Sequence, residues 1–213
     1  MKKYNCGPKS CLILVFLSLL VSSCSTGGQE IPFRDDFQDS RSGWGTDQSD
    51  EFDRGYQDGE YFIELYGPNW FAWSYSGAQV DDVSVEVDAY LSSGARDGHF
   101  GVLCRYVDED NFYYFAISVD GYYGIFRREN GGMRAITGDG VGMVHSSTIR
   151  TGGQTNTIQA VCQGSDLSLY VNGELLESVS DDAHLQGDVG LGAGSGPEGG
   201  ARILFDDVDV ARP

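Results

Sequence analysis

The sequence predicts an all-β protein that folds as an antiparallel β-sandwich, and three observations support this class. About a dozen short runs rich in aromatic and β-branched residues follow one another, with turn residues between them at hairpin spacing. The run in the middle of the chain is apolar on both sides of a period-2 pattern, so a second sheet is expected to pack against it. No apolar repeat of helical period follows residue 30.

The central segment is 99–128, HFGVLCRYVDEDNFYYFAISVDGYYGIFRR. Turn clusters at Asp108–Asn111 and Asp120-Gly121 divide it into three runs, which is typical of two consecutive hairpins. In the middle run, one side carries Tyr113, Phe115, Ile117 and Val119, and the other carries Phe112, Tyr114, Ala116 and Ser118. The sequence therefore predicts a central strand that is buried on both faces.

Further strands are predicted on either side of this segment. Val83–Leu91 alternates between apolar and polar residues, which indicates one face in the core and one in water. Asn172-Gly173 is a strong signal for a two-residue hairpin turn. The other predicted strands are Pro32–Phe37, Glu60–Leu65, Thr157–Gln163, Asp166–Val171, Glu174–Val179, Gly187–Ala193 and Arg202–Ala211.

The charge distribution is uneven along the 213 residues, a length that suits one all-β domain. The formal net charge is -18, yet all three lysines lie in the first nine residues and no acidic residue precedes Glu30. From Glu30 onward, the chain has 11 arginines against 32 acidic residues, a net charge of -21. Such a surface repels phosphate backbones and attracts cations, so we expect no nucleic-acid partner.

The N-terminus has the features of an export signal. A basic start is followed by the apolar run Leu12–Val21, which is too short to span a membrane. Val21-Ser22-Ser23-Cys24 then resembles a bacterial lipobox, in which the cysteine receives a lipid. We expect a signal peptide at 1–23, a tether at 24–30 and the domain at 31–211, with lipid-anchored attachment to the bacterial cell envelope outside the cytoplasm. The alternative is an ordinary signal peptide with an incidental Cys24.

Export places the domain where disulfides form. Cys6 and Cys11 leave with the signal and Cys24 is lipidated, so Cys104 and Cys162 remain. Both lie in predicted strands that are either neighbours in one sheet or face each other across the core. We predict a disulfide between them; the alternative is two buried free thiols.

Several motifs together resemble the concanavalin A-like lectin/glucanase jelly roll over Ile31–Val210. They are FRDDF near the start, FGVLCRY followed by DNFYYFAIS, then LYVNGELL, and FDDV near the end. Within that fold the chain is most similar to laminin G-like domains and, more loosely, to 3-keto-disaccharide hydrolase-like domains. The resemblance implies a non-catalytic, lectin-like module that binds a glycan or another extracellular partner. The alternatives left open are a glycan-active enzyme and a purely structural envelope protein without a soluble ligand.

Glu86-Val-Asp88 invites comparison with retaining glucanases of this fold, which carry Glu-x-Asp-x-Glu or Glu-x-Asp-x-x-Glu on one strand. A retaining mechanism needs two carboxyl groups about 5 to 5.5 Å apart. Here the third position is Tyr90 or Leu91, so the partner is missing from the strand. We interpret Glu86 and Asp88 as a solvated strand face. The three histidines are scattered without metal-ligand spacing.

The resemblance also implies a structural calcium ion, because jelly rolls of this kind place the first and last strands side by side. That arrangement would bring Asp35-Asp36 near Asp206-Asp207, and we predict Asp36 and Asp206 as ligands. Calcium takes six to eight oxygens, often from carboxylates and backbone carbonyls. The alternative is that each aspartate caps a turn or faces water.

The segment 67–75, GPNWFAWSY, is the densest aromatic patch in the protein. Sugar rings stack on exposed aromatic side chains while polar groups fix their hydroxyls. We therefore predict a ligand face; its members are Trp70, Trp73, Tyr75, Arg105 and Tyr114. In an extended run, Trp70 points to the opposite face from Phe71 and Trp73. The alternative is that these residues fill the core.

Overall fold

A computed structural model describes residues 29–140 and 142–213, with the side chain of Asp139 excepted. The predicted signal peptide, Cys24 and the tether up to residue 28 lie outside the described residues. Within the described part, no helix is long and apolar enough to cross a membrane. Its one helical element is a short 3-10 turn at Thr137–Gly140.

The strands form two antiparallel sheets, and they are numbered here in chain order. The nine-stranded sheet contains β1 (Phe33–Asp35), β2 (Asp47–Gln48), β3 (Phe52–Gln57), β4 (Glu60–Leu65), β6 (Val83–Gly94), β12 (Asn156–Gln163), β13 (Asp166–Val171), β14 (Glu174–Ser180) and β16 (Ala201–Ala211). The seven-stranded sheet contains β5 (Phe71–Tyr75), β7 (His99–Asp108), β8 (Asn111–Ser118), β9 (Tyr122–Glu129), β10 (Gly132–Ala135), β11 (Val144–His145) and β15 (Asp188–Gly194).

Strand order brings distant parts of the chain together. The nine-stranded sheet runs β14-β13-β12-β6-β16-β4-β3-β2, with β1 added to β16. The seven-stranded sheet runs β10-β9-β8-β7-β15-β5, with β11 added to β9. The first and last strands therefore pair, as the resemblance implied, with Arg34 opposite Asp209.

The core lies between the two sheets and follows the predicted alternation. Along β6, Val83, Val85, Val87 and Ala89 are fully buried, whereas Glu86 on the opposite face is exposed. Burying apolar side chains contributes about 25 cal/mol per Å² removed from water. This alternation explains why β6 occupies the middle of its sheet, between β12 and β16.

Strand β8 is buried on both faces, as the sequence predicted. Tyr113, Phe115 and Ile117 enter the core between the sheets. The opposite face is covered by large side chains from neighbouring strands, and no further sheet lies over it within the described residues. We call this layer the outer aromatic cluster; it comprises Leu103, Phe112, Tyr114 and Ala116 with the partly buried Phe71, Trp73, Tyr106, Phe126 and Met143.

The hairpin turns follow the local sequence. Asn172 and Gly173 have φ values of 51° and 83°, the left-handed pair that a two-residue turn with matching twist requires. Strands β2, β3, β5, β10 and β11 are not among the predicted strands. β2, β10 and β11 are only two to four residues long, too short to show a period-2 pattern.

The disulfide between Cys104 and Cys162 is confirmed, and it joins the two sheets across the core. Cys104 lies on β7, Cys162 lies on β12, and both are fully buried. The bond closes a loop with a sequence separation of 58 residues. Such a closure restricts the unfolded chain and so stabilises the fold.

We predict that Cys104→Ala/Cys162→Ala lowers the free energy of unfolding by roughly 2 to 4 kcal/mol, because the unfolded chain regains the entropy of this loop. Guanidinium denaturation followed by circular dichroism measures the change. Wild-type protein in reductant is the control and should move in the same direction. Equal denaturation midpoints for the variant and the oxidised wild type would contradict the prediction.

Candidate ligand groove

Strand β5 supplies the aromatic residues of the candidate site. It is the edge strand of the seven-stranded sheet, and its residues alternate between the two faces. Ala72 and Ser74 are buried, while Phe71, Trp73 and Tyr75 point to the outer face. Pairing with β15 holds the strand in this register, with Trp73 opposite Gly192.

These side chains line a groove of about 370 Å³ between β5 and the β2–β3 edge of the nine-stranded sheet. We call it the aromatic groove. The groove brings together three predicted ligand residues, Trp70, Trp73 and Tyr75, together with Phe52 and Tyr106. Its volume lies within the range of about 300 to 1,000 Å³ that is typical of small-molecule sites.

Two of the rings are open to solvent. Trp70 and Tyr75 are each 46% exposed, whereas Trp73 is half-buried. The backbone of Trp70 is held in place, since its N–H donates to Ser195 Oγ at 3.0 Å and its carbonyl accepts from Ser195 N at 2.9 Å. The exposed rings are therefore presented from a backbone held by hydrogen bonds.

The rings stack on one another across the outer face. Tyr75 and Tyr106 lie 4.8 Å apart at an interplanar angle of 15°, and Phe71 and Trp73 lie 5.5 Å apart at 28°. The Arg128 guanidinium is 6.0 Å from the Trp73 ring centroid. This layer fixes the orientation of the rings that line the groove.

Alternate glycines of β15 make room for that layer. A Cβ at Gly192 would lie 2.8 Å from Leu103 Cδ1 and 3.2 Å from Phe71 Cζ, and one at Gly194 would overlap the His99 ring. Gly190, Gly192 and Gly194 thus belong to a strand interior on which aromatic side chains rest.

Tyr114 supports the groove from beneath. It is 1% exposed, and His99 Nδ1 and its hydroxyl lie 3.1 Å apart. Burial raises the pKa of Tyr114 well above its ordinary value and lowers the pKa of His99 to about 4, so both are neutral at pH 7. A ligand in the groove does not reach Tyr114 in this conformation.

Arg105 lies away from the groove and has no exposed surface. It occupies a β-bulge with φ of 54°. Its guanidinium donates to the carbonyls of Asp81 and His184, at 3.2 and 3.0 Å. Arg105 therefore ties two loops together, and the structure does not bring it to the predicted ligand face.

Charged side chains form the rim of the aromatic groove. Asp47, Glu51 and Glu109 contribute carboxylates, and Arg54 contributes the one cationic side chain among the lining residues. The Arg54 guanidinium lies 3.8 Å from Asp47 and 6.0 Å from the Phe52 ring centroid. The sequence analysis did not include this rim, because residues 47–54 and Glu109 are far apart in the chain and meet only in the folded protein.

A second cavity continues from the groove past the stacked pair of Tyr75 and Tyr106. It has a volume of about 460 Å³ and includes Asp108, Glu109 and Asp188. Asp188 is nearly fully buried, and burial raises its pKa to about 6 although Gly77 N donates to it at 2.7 Å. The two cavities together form an extended, acidic depression.

The predicted solvated face of β6 carries carboxylates from two strands. Glu86 lies opposite Asp209 of β16, and Asp88 lies opposite Asp206. Burial, followed by the charges of Asp209 and Asp88, raises the pKa of Glu86. Glu86 and Asp209 line a cavity of about 770 Å³ on the outer face of the nine-stranded sheet.

The residues predicted to bind calcium are engaged in local hydrogen bonds. Asp35 accepts from Phe37 N and from Trp44 Nε1, both at 2.8 Å. Asp36 accepts from Gln38 N, and Asp206 accepts from Asp207 N. Across the described ranges, no three His, Cys, Asp or Glu side chains come together in a way that could hold a metal ion. As placed, Asp36 and Asp206 do not fit a calcium site, and the ion stays a prediction.

Solved structures show the same architecture, although no family model and no curated protein matches this chain. The carbohydrate-binding module CBM66 from Bacillus subtilis is 19% identical, with a TM-score of 0.56 over 80% of this chain and 92% of that module. The β-glucanase of Bacillus licheniformis is 13% identical, with a TM-score of 0.62 over 89% of this chain and 100% of that enzyme.

A third similar structure is a Bacillus subtilis protein of unknown function with a galectin-like fold. It is 8% identical, with a TM-score of 0.63 over 84% of this chain and 94% of that protein. These structures share the concanavalin A-like jelly-roll β-sandwich, so the predicted fold is confirmed. At these identities the likeness concerns the fold alone.

The buried His99 predicts a pH dependence of stability. A histidine with an ordinary pKa of 6.5 and a folded-state pKa of about 4 stabilises the fold fully above pH 6.5, and this contribution is lost as the pH falls towards 4. We expect wild type to gain roughly 2 to 3 kcal/mol of unfolding free energy relative to His99→Phe when the pH is raised from 4 to 7.

Urea denaturation across that pH range measures the difference. Asp188 lowers the stability of the fold as the pH rises from 4 to 6, because its raised pKa favours the protonated form in the folded state. Its contribution is present in both proteins and cancels when they are compared. A difference that stays constant with pH would contradict the prediction.

Proposed function

We propose that this protein is a non-catalytic glycan-binding module and that the aromatic groove is its binding site. The observation that carries the proposal is the gathering of Trp70, Trp73 and Tyr75 in one groove with polar side chains at its rim. The fold is shared with a carbohydrate-binding module and with a β-glucanase, which supports an interaction with glycans.

The chemistry of the groove suits sugar rings. The exposed faces of Trp70 and Tyr75 match the apolar C–H faces of a pyranose, and each good stacking contact contributes about 0.5 to 1.5 kcal/mol. The carboxylates of Asp47, Glu51 and Glu109 accept hydrogen bonds from hydroxyl groups, and Arg54 donates them. Preorganised rings lose little conformational entropy on binding, which favours affinity.

The proposal includes attachment to the bacterial envelope through a lipid on Cys24. The basic start, the short apolar run and the lipobox-like Val21-Ser22-Ser23-Cys24 support it. A lipid-modified N-terminus would place the module outside the cytoplasm, next to envelope or environmental glycans.

We expect Trp70→Ala and Tyr75→Ala each to weaken glycan binding roughly 3- to 10-fold, because each removes a stacking surface. A glycan array with the mature domain, with and without chelator, identifies a ligand, and isothermal titration then measures affinity. Tyr122→Ala is the matched control, since Tyr122 is a 39% exposed aromatic that does not line the groove. Unchanged affinity in both groove variants, or no glycan bound at all, would exclude the proposed site.

A second candidate function is a glycan-active enzyme on the nine-stranded sheet. One observation favours it: Asp209 faces Glu86 from the neighbouring strand and supplies a carboxylate in place of the acid/base partner that is missing from β6. Arg34 pairs with Asp209 at 2.6 Å, whereas the pKa of Glu86 is raised by desolvation and by the charges of Asp209 and Asp88. Carboxyl groups whose environments differ in this way can act as acid and base.

Incubation with β-glucans or 3-keto-disaccharides tests the enzyme. If the carboxylates act, product is released and Glu86→Gln abolishes the release, while Glu177→Gln on β14 leaves it intact. Absence of product from every substrate would remove this candidate. The result does not depend on the aromatic groove, because neither Glu86 nor Asp209 is among the residues that line it.

A further inference from the structure

We propose that the aromatic groove selects glycans that carry protonated amino groups, and discriminates against glycans that carry carboxylates or sulfates. The inference rests on the proposed glycan-binding function and names the class of glycan. It follows from how charge and aromatic surface are combined around the groove.

The first argument is charge at the rim. Of the three rim carboxylates, Asp47 lies near Arg54, which leaves Glu51 and Glu109 with no ion pair in the described part of the chain. The continuing cavity adds Asp108, whose carboxylate contacts only Asn111 and backbone N–H groups. The depression therefore carries an excess of negative charge, and a cationic ligand would balance it.

The second argument is the aromatic floor. A cation over the face of a tryptophan or tyrosine gains about 0.5 to 1 kcal/mol at an exposed site. Trp70 and Tyr75 present such faces beside the unpaired carboxylates. A protonated amine on a stacked sugar meets both attractions at once, whereas a uronate or sulfate is repelled by the carboxylates and by the negative ring faces.

The third argument is the length of the depression. The two cavities share Tyr75, Tyr106 and Glu109, so acidic groups occur on both sides of the stacked tyrosine pair. An extended chain lying across this pair would place successive sugars near carboxylates. This arrangement favours a polymer with repeated amines over a single charged sugar.

The net negative charge of the rest of the chain also favours cationic ligands over anionic ones. Beyond the first nine residues, the chain has 11 arginines and no lysine against 32 acidic residues. The resulting field raises the local concentration of cationic polymers and lowers that of anionic ones, and salt weakens it.

The test compares three hexasaccharides on the mature domain by isothermal titration. They are a fully deacetylated β-1,4-linked glucosamine hexamer, its N-acetylated counterpart and an oligogalacturonate. We expect the deacetylated hexamer to bind most tightly, with an affinity that falls as salt is raised. The oligogalacturonate is expected not to bind.

Two variants locate the effect. Glu51→Gln and Glu109→Gln should each weaken binding of the deacetylated hexamer about two- to fivefold, the size expected for an exposed charge pair. Binding of the N-acetylated hexamer should weaken less, because the glutamine amide oxygen still accepts a hydrogen bond from a hydroxyl group. Glu177→Gln is the control, because Glu177 lies on β14 at the far edge of the nine-stranded sheet from β2. An equal loss in this control would mean that overall charge, and not the groove, selects the ligand, which would overturn the inference.

The outcomes separate this inference from the function on which it rests. If no glycan on an array binds, the proposed function fails and the inference fails with it. If the N-acetylated hexamer binds as tightly as the deacetylated one and Trp70→Ala weakens both, glycan binding stands and amine selection is wrong. If an oligolysine peptide of equal charge binds as tightly, the groove recognises charge without the sugar, and the inference is overturned.

Discussion

Burial of β8 on both faces is the constraint on which the rest of the structure depends. Its inner face completes the core against the nine-stranded sheet, and its outer face needs a cover that no third layer provides within the described residues. The cover consists of aromatic side chains from β5, β7 and β9. If the large rings on the outer face of β8 stayed in water, the fold would lose hydrophobic stabilisation. Rings from the other strands of the sheet cover them.

The candidate site is a consequence of that cover. The aromatic layer over β8 extends to the edge strand β5, where it ends in the exposed rings of Trp70 and Tyr75. The glycines of β15 let the layer lie close to the sheet, and stacking orients each ring against the next. One aromatic layer thus extends from the buried Tyr114 to the exposed Tyr75; it covers β8 at one end and lines the groove at the other.

The two outer faces of the sandwich differ in chemistry. In the aromatic groove, stacked rings of the seven-stranded sheet meet carboxylates at the β2–β3 edge, whereas the outer face of the nine-stranded sheet presents carboxylates such as Glu86 and Asp209 on neighbouring strands. The hydrophobic core and the disulfide lie between these two faces and join the sheets that carry them. Exposed aromatic surface and facing carboxylates therefore lie in different parts of one domain.

The sequence alone determined the fold class, most strands, the turn at Asn172-Gly173 and the disulfide, because period-2 burial and turn chemistry are local properties. The sequence also placed Trp70, Trp73 and Tyr75 in one candidate site, because the segment 67–75 is the densest aromatic patch in the chain. Only the tertiary structure decided that Arg105 and Tyr114 are buried, that Glu51 and Glu109 meet those rings, and that Asp209 faces Glu86. Those relations join strands far apart in sequence, and strand order and register, which local patterns do not encode, determine them.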